Sequence, residues 1–368
     1  MAAASSPAMT NRFLGDVAQQ VRALSIQQWG AARAVEMVGR DKQFLELLTK
    51  VAKVAPHNGP VLIIGESGSG KEALAQALYL LGPRRGRPYV SVNCPQYQDG
   101  HLTVSELFGH RKGSFTGAVA DRKGCFDTAD GGLIFLDEIA DLHMSAQVML
   151  LRALASGECQ PLGSDKSHSV NVRVVAATNR PLDKLMVAQE FRHDLFFRLR
   201  YFLLTVPPLR TRGEDWLVLL SYFMEQLHQQ YGVDKTFSSA SLDILSKYDW
   251  PGNVRQLISV ATMGYAMADG EFIEPHHFQE QIESRGFSED DAEEELFHRV
   301  SVGREDFWEI VYKPFLDRDL NRKQVRALIK RGLFETQNSY RELLELLHIP
   351  QASYQKFMDF LRHHRLKP

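Results

Sequence analysis

The middle of the chain alternates short, wholly apolar runs with helical stretches, and the rest is helical almost throughout. Val61–Ile64 and Leu133–Leu136 show no polar alternation, so each reads as a strand covered on both faces. Tyr89–Asn93 and Val172–Ala177 read as two further strands. Helical segments separate them, which is the order of a parallel α/β sheet. Ahead of the first strand, Lys42–Ala55 has the spacing of an amphipathic helix, and Asn58-Gly59-Pro60 is a turn. Pro207-Pro208 closes the sheet-forming part. Asp215–Tyr231 and Ser241–Tyr248 then carry apolar stripes, and Trp250-Pro251-Gly252-Asn253 turns into a helix bearing Arg255, together a small helical lid.

The two ends differ in character. Phe13, Leu14, Val17, Val21 and Leu24 approximate helical spacing, so part of the N-terminal arm is expected to pack on the globular part of the chain. Residues 1–36 are too few for a sensory domain, and regulation is expected to come from a partner, from expression level or from sequence outside this chain. Residues 284–304 contain the acidic run Ser288 to Glu295, which reads as a solvated linker. Residues 318–368 reverse the sign, with eleven Lys or Arg against five Asp or Glu. There Arg322–Arg331 is helical, Ser339 and Glu342 form a capping box opening a helix to Leu347, and a second helix runs from Gln351 to about His364. Helix, short turn and basic helix suit a reader of the DNA major groove, and a basic bundle for protein contacts is the plainer alternative.

Composition narrows this little further. A chain of 368 residues, 44% hydrophobic, has room for two or three domains. A formal net charge of −2 makes any nucleic-acid surface local rather than global. Cys94, Cys125 and Cys159 form no C-x-x-C pair, which argues for a reducing compartment and against a disulfide framework or a zinc site. Neither a membrane-length apolar run nor a secretory signal is present, so a cytoplasmic protein without membrane association is expected.

The chemistry gathers at strand ends. Val61–Ile64 feeds a loop with Gly65, Glu66, Ser67, Gly68, Ser69 and Gly70, after which Lys71 and Glu72 open a helix. Such a loop turns backbone N–H groups around a phosphate, the helix N-terminus adds partial positive charge, and Lys71 reaches the outer phosphates. A plain glycine turn is the alternative. Asp137 and Glu138 stand at the end of the second apolar run, where two carboxylates need a cation or a reactant. With a nucleotide bound, Asp137 would hold magnesium and Glu138 would orient the attacking water. An acidic first turn of a helix is the competing account. Asn93, Thr178 and Asn179 lie at the ends of other strands, where ligands of open α/β sheets collect. Arg192 and Arg198 flank aromatic bulk and suit either charge neutralisation on a transferring phosphoryl group or surface ion pairs.

These motifs resemble the sigma-54 dependent transcriptional activators, a branch of the AAA+ ATPases, over about residues 37–283 and more weakly in the tail. Gly65–Glu72 is similar to that family's phosphate loop, including Glu72 where Ser or Thr is usual elsewhere. Gly113-Ser114-Phe115-Thr116-Gly117-Ala118 resembles its GAFTGA loop, with Ser114 in place of Ala. The resemblance implies an AAA+ parallel-sheet ATPase at 37–207, a lid at 208–283, a linker at 284–304 and a helix-turn-helix DNA-binding module at 305–368. It implies ATP and Mg2+ as cofactors, with Glu72 and Asp137 toward the metal, and Lys71, Asp137 and Glu138 in catalysis. Asn93 would be a switch residue, Thr178 and Asn179 a sensor, and Arg255 a second sensor on the lid. Arg192 and Arg198 would act across the boundary of a homo-oligomer, usually a hexameric ring. An exposed Phe115 between glycines would engage sigma-54 in the RNA polymerase holoenzyme, and the tail would bind upstream enhancer DNA through Gln351, Ser353 and Lys356. Gln256 stands where the family has Glu, and His348 and Pro350 where Gly and Ser are common. The expected function is an ATP-hydrolysing regulator that remodels sigma-54 polymerase to open promoters. The rivals are an AAA+ remodeller of another protein and a DNA-binding regulator that does not hydrolyse ATP.

Overall fold

A computed structural model describes residues 13–94, 100–115, 117–283, 296–316, 320, 322–336, 339–364 and 366. The chain divides into two compact units between Glu283 and Ser284. The acidic run Ser288 to Glu295 and the loop residue Thr116 lie outside the described residues.

The larger unit is built on a five-stranded sheet of order β2-β3-β6-β1-β7. Its strands are β1 (Val61–Ile64), β2 (Tyr89–Asn93), β3 (Leu133–Asp137), β6 (Arg173–Thr178) and β7 (Phe202–Thr205), all parallel to their neighbours. Two short strands between β3 and β6, β4 (Glu158–Cys159) and β5 (His168–Ser169), form an antiparallel hairpin. The absence of alternation in the apolar runs has its cause in this arrangement. Successive residues of a strand point to opposite faces, and both faces here are covered. Val61, Ile63, Leu133, Phe135, Val175 and Ala177 enter one core, while Leu62, Ile134, Leu136, Val174 and Ala176 enter the other. Strand β6 runs one residue later than the sequence pattern places it, so it ends on Thr178. Strand β7 adds an edge to the sheet beyond the strands the sequence pattern predicts, and it leaves Leu203 40% exposed.

Helices cover the sheet. They are α1 (Asp16–Trp29), α2 (Lys42–Val54), α3 (Lys71–Leu80), α4 (Gly100–Phe108), α5 (Cys125–Thr128), α6 (Met144–Ser156), α7 (Leu182–Val187) and α8 (His193–Leu199). Asp41 caps α2 by accepting from the N–H groups of Gln43 and Phe44. The arm packs as its spacing predicts: Phe13, Leu14 and Val21 are buried in the first core, and Trp29 stacks on Tyr79 with ring centroids 5.8 Å apart. The lid contains α9 (Asp215–Tyr231), α10 (Ser239–Ser246), α11 (Asn253–Met267), α12 (Gln279–Glu283) and the parallel pair β8 (Thr236–Phe237) and β9 (Phe272–Ile273). Helix α10 starts two residues before the predicted stripe because Ser238 supplies its cap, accepting from Ser241 N–H.

The second unit, described by itself, packs α13 (Lys313–Leu316), α14 (Arg322–Glu335), α15 (Tyr340–Leu346) and α16 (Tyr354–His363) around Phe307, Leu328, Leu343, Phe357 and Leu361. Ser339 accepts from Glu342 N–H at 3.4 Å at the start of α15. His348 has φ of 52°, a left-handed conformation that glycine adopts more easily, and its Nε2 meets the Ser301 carbonyl oxygen at 3.0 Å. The helix expected from Gln351 begins as a 3-10 turn over Gln351–Ser353 and becomes α-helical only at Tyr354.

A buried arginine ties α2 to the sheet. Arg173 opens β6 and is 1% exposed, and its Nη1 and Nη2 donate to the carbonyl oxygens of Ala55 and Val54 at 2.6 and 3.0 Å. Burial pushes its pKa down to about 10. The last carbonyls of a helix have no intrahelical partner, and Arg173 satisfies two of them. Arg173→Met should therefore destabilise the larger unit by roughly 2–4 kcal/mol, read as a lower urea midpoint at unchanged slope.

Candidate active site

The loop after β1 and the carboxyl end of β3 line a cleft of about 1460 Å³. Its lining combines Ser67 to Glu72, Asp137, Glu138 and Arg255 with apolar side chains including Met37, Val38, Leu219 and Ile258. The loop after β1 is left-handed at Gly68 and Gly70, with φ of 72° and 101°. A Cβ at Gly70 would meet open space, while one at Gly68 would lie 2.4 Å from the Gly252 carbonyl oxygen. Buried Ser69 braces the loop by donating its hydroxyl to Glu66 O at 2.7 Å. Gly65 N–H donates to Thr178 O at 3.2 Å, so Thr178 is fully buried beneath the loop.

Lys71 is 7% exposed, and its Nζ donates to the carbonyl oxygens of Gly65 and Glu66 at 3.0 and 3.3 Å. The same ammonium is 3.3 Å from Glu138 Oε1. Glu138 Oε2 accepts from Asn179 N–H at 2.9 Å, and Asp137 Oδ1 accepts from Glu138 N–H at 3.1 Å. Glu138 adopts φ of 49°, a left-handed conformation costly for a residue with a side chain. That turn is what brings its carboxylate toward the lysine. Asn93 is in register with Asp137 on the neighbouring strand, and Glu72 opens α3 at the cleft wall.

These residues fit a nucleotide. A buried ammonium beside a glycine loop and a helix N-terminus suits phosphate, and the oxygen donors of Glu72, Asp137 and Glu138 suit a hard divalent cation. No group of three or more His, Cys, Asp or Glu able to hold a metal is assembled among the described residues, so a cation here would complete its shell with water and phosphate oxygens.

Other predicted residues stand apart. Gly65, Glu66, Thr178 and Asn179 support the cleft from outside its lining. Arg192 and Arg198 do not reach it: Arg192 pairs with Asp194 at 2.8 Å, and Arg198 Nη2 donates to the Leu154 carbonyl oxygen at 3.0 Å. The loop from Gly113 to Ala118 is also remote. Gly113 and Gly117 have φ of 82° and 107°, and Gly113 N–H closes the loop on Ala118 O at 2.8 Å. Its Phe115 is half-buried rather than exposed, because its ring meets the edge of His110 at 5.0 Å. In the second unit, Gln351 Nε2 donates to Arg341 O at 3.2 Å, Ser353 is half-buried and Lys356 Nζ lies 4.0 Å over the Trp308 ring. A cation–π contact of that kind holds Lys356 against its own unit.

Residues 37–205 match the model of the sigma-54 interaction domain, and residues 210–295 match that of the AAA+ ATPase lid domain. The sigma54-dependent transcriptional regulator SfnR of Pseudomonas fluorescens is 46% identical over 62% of this chain and 62% of its own. The anaerobic nitric oxide reductase transcription regulator NorR of Citrobacter koseri is 39% identical over 79% of this chain and 59% of its own. Residues 37–205 belong to the sigma-54 interaction domain family, which the chain shares with sigma-54-dependent transcriptional regulators. The chain spans about 60% of the length of those two relatives. In fold it resembles NtrX of Brucella abortus, crystallised in complex with ADP, at a TM-score of 0.63 and 23% identity over 92% of this chain and 72% of the other. Among the described residues no helix is long and apolar enough to cross a membrane.

The chain also carries site residues its motifs did not announce. Arg22 and Glu36 of the arm line the cleft and pair at 3.1 Å, and burial raises the Glu36 pKa against the pull of Arg22. Arg212 and Asp215, each 2% exposed, form a buried pair, and Arg212 Nη2 donates to Val38 O at 2.8 Å. The sequence signalled these only as one charged cluster, Arg210 to Asp215. Gln256, the departure from the family's Glu, is fully engaged. Its Oε1 accepts from Gly252 N–H at 3.0 Å, and its Nε2 donates to Tyr248 Oη at 2.8 Å and Gln281 O at 2.9 Å. A carboxylate cannot donate to the Gln281 carbonyl oxygen, and it could keep Tyr248 only by taking the hydroxyl proton that Tyr248 gives to Ile282 O. Gln256→Glu should thus destabilise the lid by roughly 1–3 kcal/mol, seen as a lower thermal midpoint, and an unchanged midpoint would contradict this reading.

Proposed function

We propose that this protein binds and hydrolyses ATP and uses the energy to remodel sigma-54 RNA polymerase holoenzyme at promoters reached from upstream enhancer DNA. The observation that carries the nucleotide reading is the buried Lys71 ammonium, 3.3 Å from the Glu138 carboxylate beneath a glycine loop at the carboxyl end of a parallel sheet. The ATP and ADP complexes of the similar NtrX chain support it.

Lys71 and the N–H groups of the loop bind the phosphates, and the apolar lining of the cleft receives the base. Asp137 and Glu72, with water, would hold magnesium, which would supply positive charge beside the phosphate oxygens. Glu138, fixed by Lys71 and by Asn179 N–H, aligns the attacking water and takes its proton. Water attacks the terminal phosphorus, the bond to the bridging oxygen breaks, and ADP and phosphate leave. Asn93, Thr178 and Asn179 report on the occupied site, and Arg255 does so from the lid.

Arg192 and Arg198 act on a neighbouring subunit's nucleotide, which requires a homo-oligomer, a hexameric ring in this reading. Their distance from the chain's own cleft supports this, as do exposed apolar neighbours, with Phe197 68% and Val187 85% exposed. Arginines of this kind contribute about 10³–10⁵ in rate. Gly113–Ala118 is the sigma-54 contact, Phe115 leaving His110 to meet its partner. Residues 305–368 bind DNA as a helix-turn-helix, with Gln351, Ser353 and Lys356 nearest the bases, and a cytoplasmic location follows from this function.

Glu138→Ala should lower turnover by about 100-fold or more while nucleotide binding persists, measured by phosphate release and by titration with a fluorescent nucleotide. Turnover equal to the parent chain's would remove Glu138 from the mechanism.

A further inference from the structure

The apex of the glycine loop is tied to the lid through Glu66, Arg210 and Asn253, which do not line the cleft, and through Ser67, Gly68, Val254 and Arg255, which do. Glu66 turns its carboxylate outward onto Arg210, which donates from Nη1 to Oε2 at 2.8 Å and from Nη2 to Oε1 at 2.6 Å. Oε2 also accepts from Asn253 Nδ2 at 3.1 Å, and the same amide reaches the Ser67 carbonyl oxygen at 3.1 Å. Arg255 Nη1 donates to Ser67 Oγ at 2.9 Å, and Val254 N–H donates to Gly68 O at 3.1 Å. Asn253 is fully buried in a left-handed conformation, φ 50°, and its Oδ1 accepts from Leu209 N–H at 2.8 Å. One carboxylate therefore joins the segment leaving the sheet, where Arg210 stands, to the start of α11 in the lid. The Arg210 guanidinium holds the Glu66 carboxyl below its ordinary pKa, so the pair is ionised at neutral pH.

We propose that Glu66 is a positioning residue which, through Arg210 and Asn253, locks the phosphate loop to the lid and so sets nucleotide affinity without facing the nucleotide. This rests on the nucleotide-binding reading above. The reason is conformational. Ser69 and Lys71 brace the base of the loop, but left-handed glycines at 68 and 70 leave its apex easily deformed, and the ties to the lid hold the N–H groups that would meet a phosphate. Arg210 and Glu66 are 41% and 39% exposed, so solvent screens their attraction and the value of the pair lies in its two-pronged geometry. Losing Arg210 leaves the Asn253 bond in place, losing Glu66 breaks both ties, and losing both partners frees no more than losing Glu66.

The test uses the full chain, with Glu66→Ala, Arg210→Ala, the double variant and the near-isosteric Glu66→Gln, titrated with a fluorescent ADP analogue and assayed for phosphate release. Each alanine variant should raise Kd and KM about fivefold with kcat at saturation within about twofold, and the double variant should be no weaker than the poorer single one. Glu66→Gln, which keeps an acceptor for Asn253, should fall between the parent and Glu66→Ala. Multiplied losses in the double variant, or an unchanged Kd with only a lower melting temperature, would overturn the positioning role and leave the nucleotide site intact. A parent chain that binds no nucleotide would instead overturn the proposed function and this inference with it.

Discussion

A buried ammonium must be answered by acceptors, and the larger unit is organised around that demand at Lys71. Two loop carbonyl oxygens and the Glu138 carboxylate lie within 3.3 Å of its nitrogen. Glu138 reaches it from a left-handed turn at the end of β3, and Asn179 at the end of β6 fixes the other carboxylate oxygen. Three adjacent strands are thereby connected at their carboxyl ends through polar groups, while below that level both faces of the sheet are apolar. Polar groups gathered at the carboxyl ends allow an anion to be recognised there without disturbing the core, while the buried Arg173 meets helix carbonyls at the opposite end.

The lid and the arm extend that arrangement. Arg212 and Asp215 bind the lid's first helix to Val38, Arg40 and Asp41, the segment that forms the apolar wall of the cleft. Helix α1 adds Arg22 and Ile26 at the rim, held by aromatic stacking of Trp29 on Tyr79. The cleft is consequently bounded by three parts of the chain far apart in sequence. A change in any one of them moves a wall of the same cavity.

Much of this was legible in the residues. The unbroken apolar runs at 61–64 and 133–136 identify strands buried on both faces, and glycine spacing with Lys71 identifies the loop between strand and helix, because those patterns are local. What escaped was non-local or unmarked. β7 is as long as β1, but Phe202-Leu203-Leu204-Thr205 follows closely on the apolar helix His193–Leu199, so no break in pattern marks where the strand begins. The arm's place at the cleft, the outward turn of Glu66 and the Arg212–Asp215 pair depend on segments more than a hundred residues apart, or on neighbours that no spacing rule connects. Phe115 reads as exposed between glycines until His110, on an adjacent stretch of backbone, is seen to shelter its ring. Family resemblance supplied the loop's identity, whereas the geometry supplied its resting contact.

Hydrolysis at the Lys71–Glu138 site is proposed to drive work at the Phe115 loop, and promoter opening by purified protein with sigma-54 polymerase, followed in the same sample as phosphate release, measures that coupling. ATP should support both, a non-hydrolysable analogue neither, and Phe115→Ala should retain phosphate release while losing open complexes. Open complexes formed at the parent rate by Phe115→Ala, or with the non-hydrolysable analogue, would contradict the coupling.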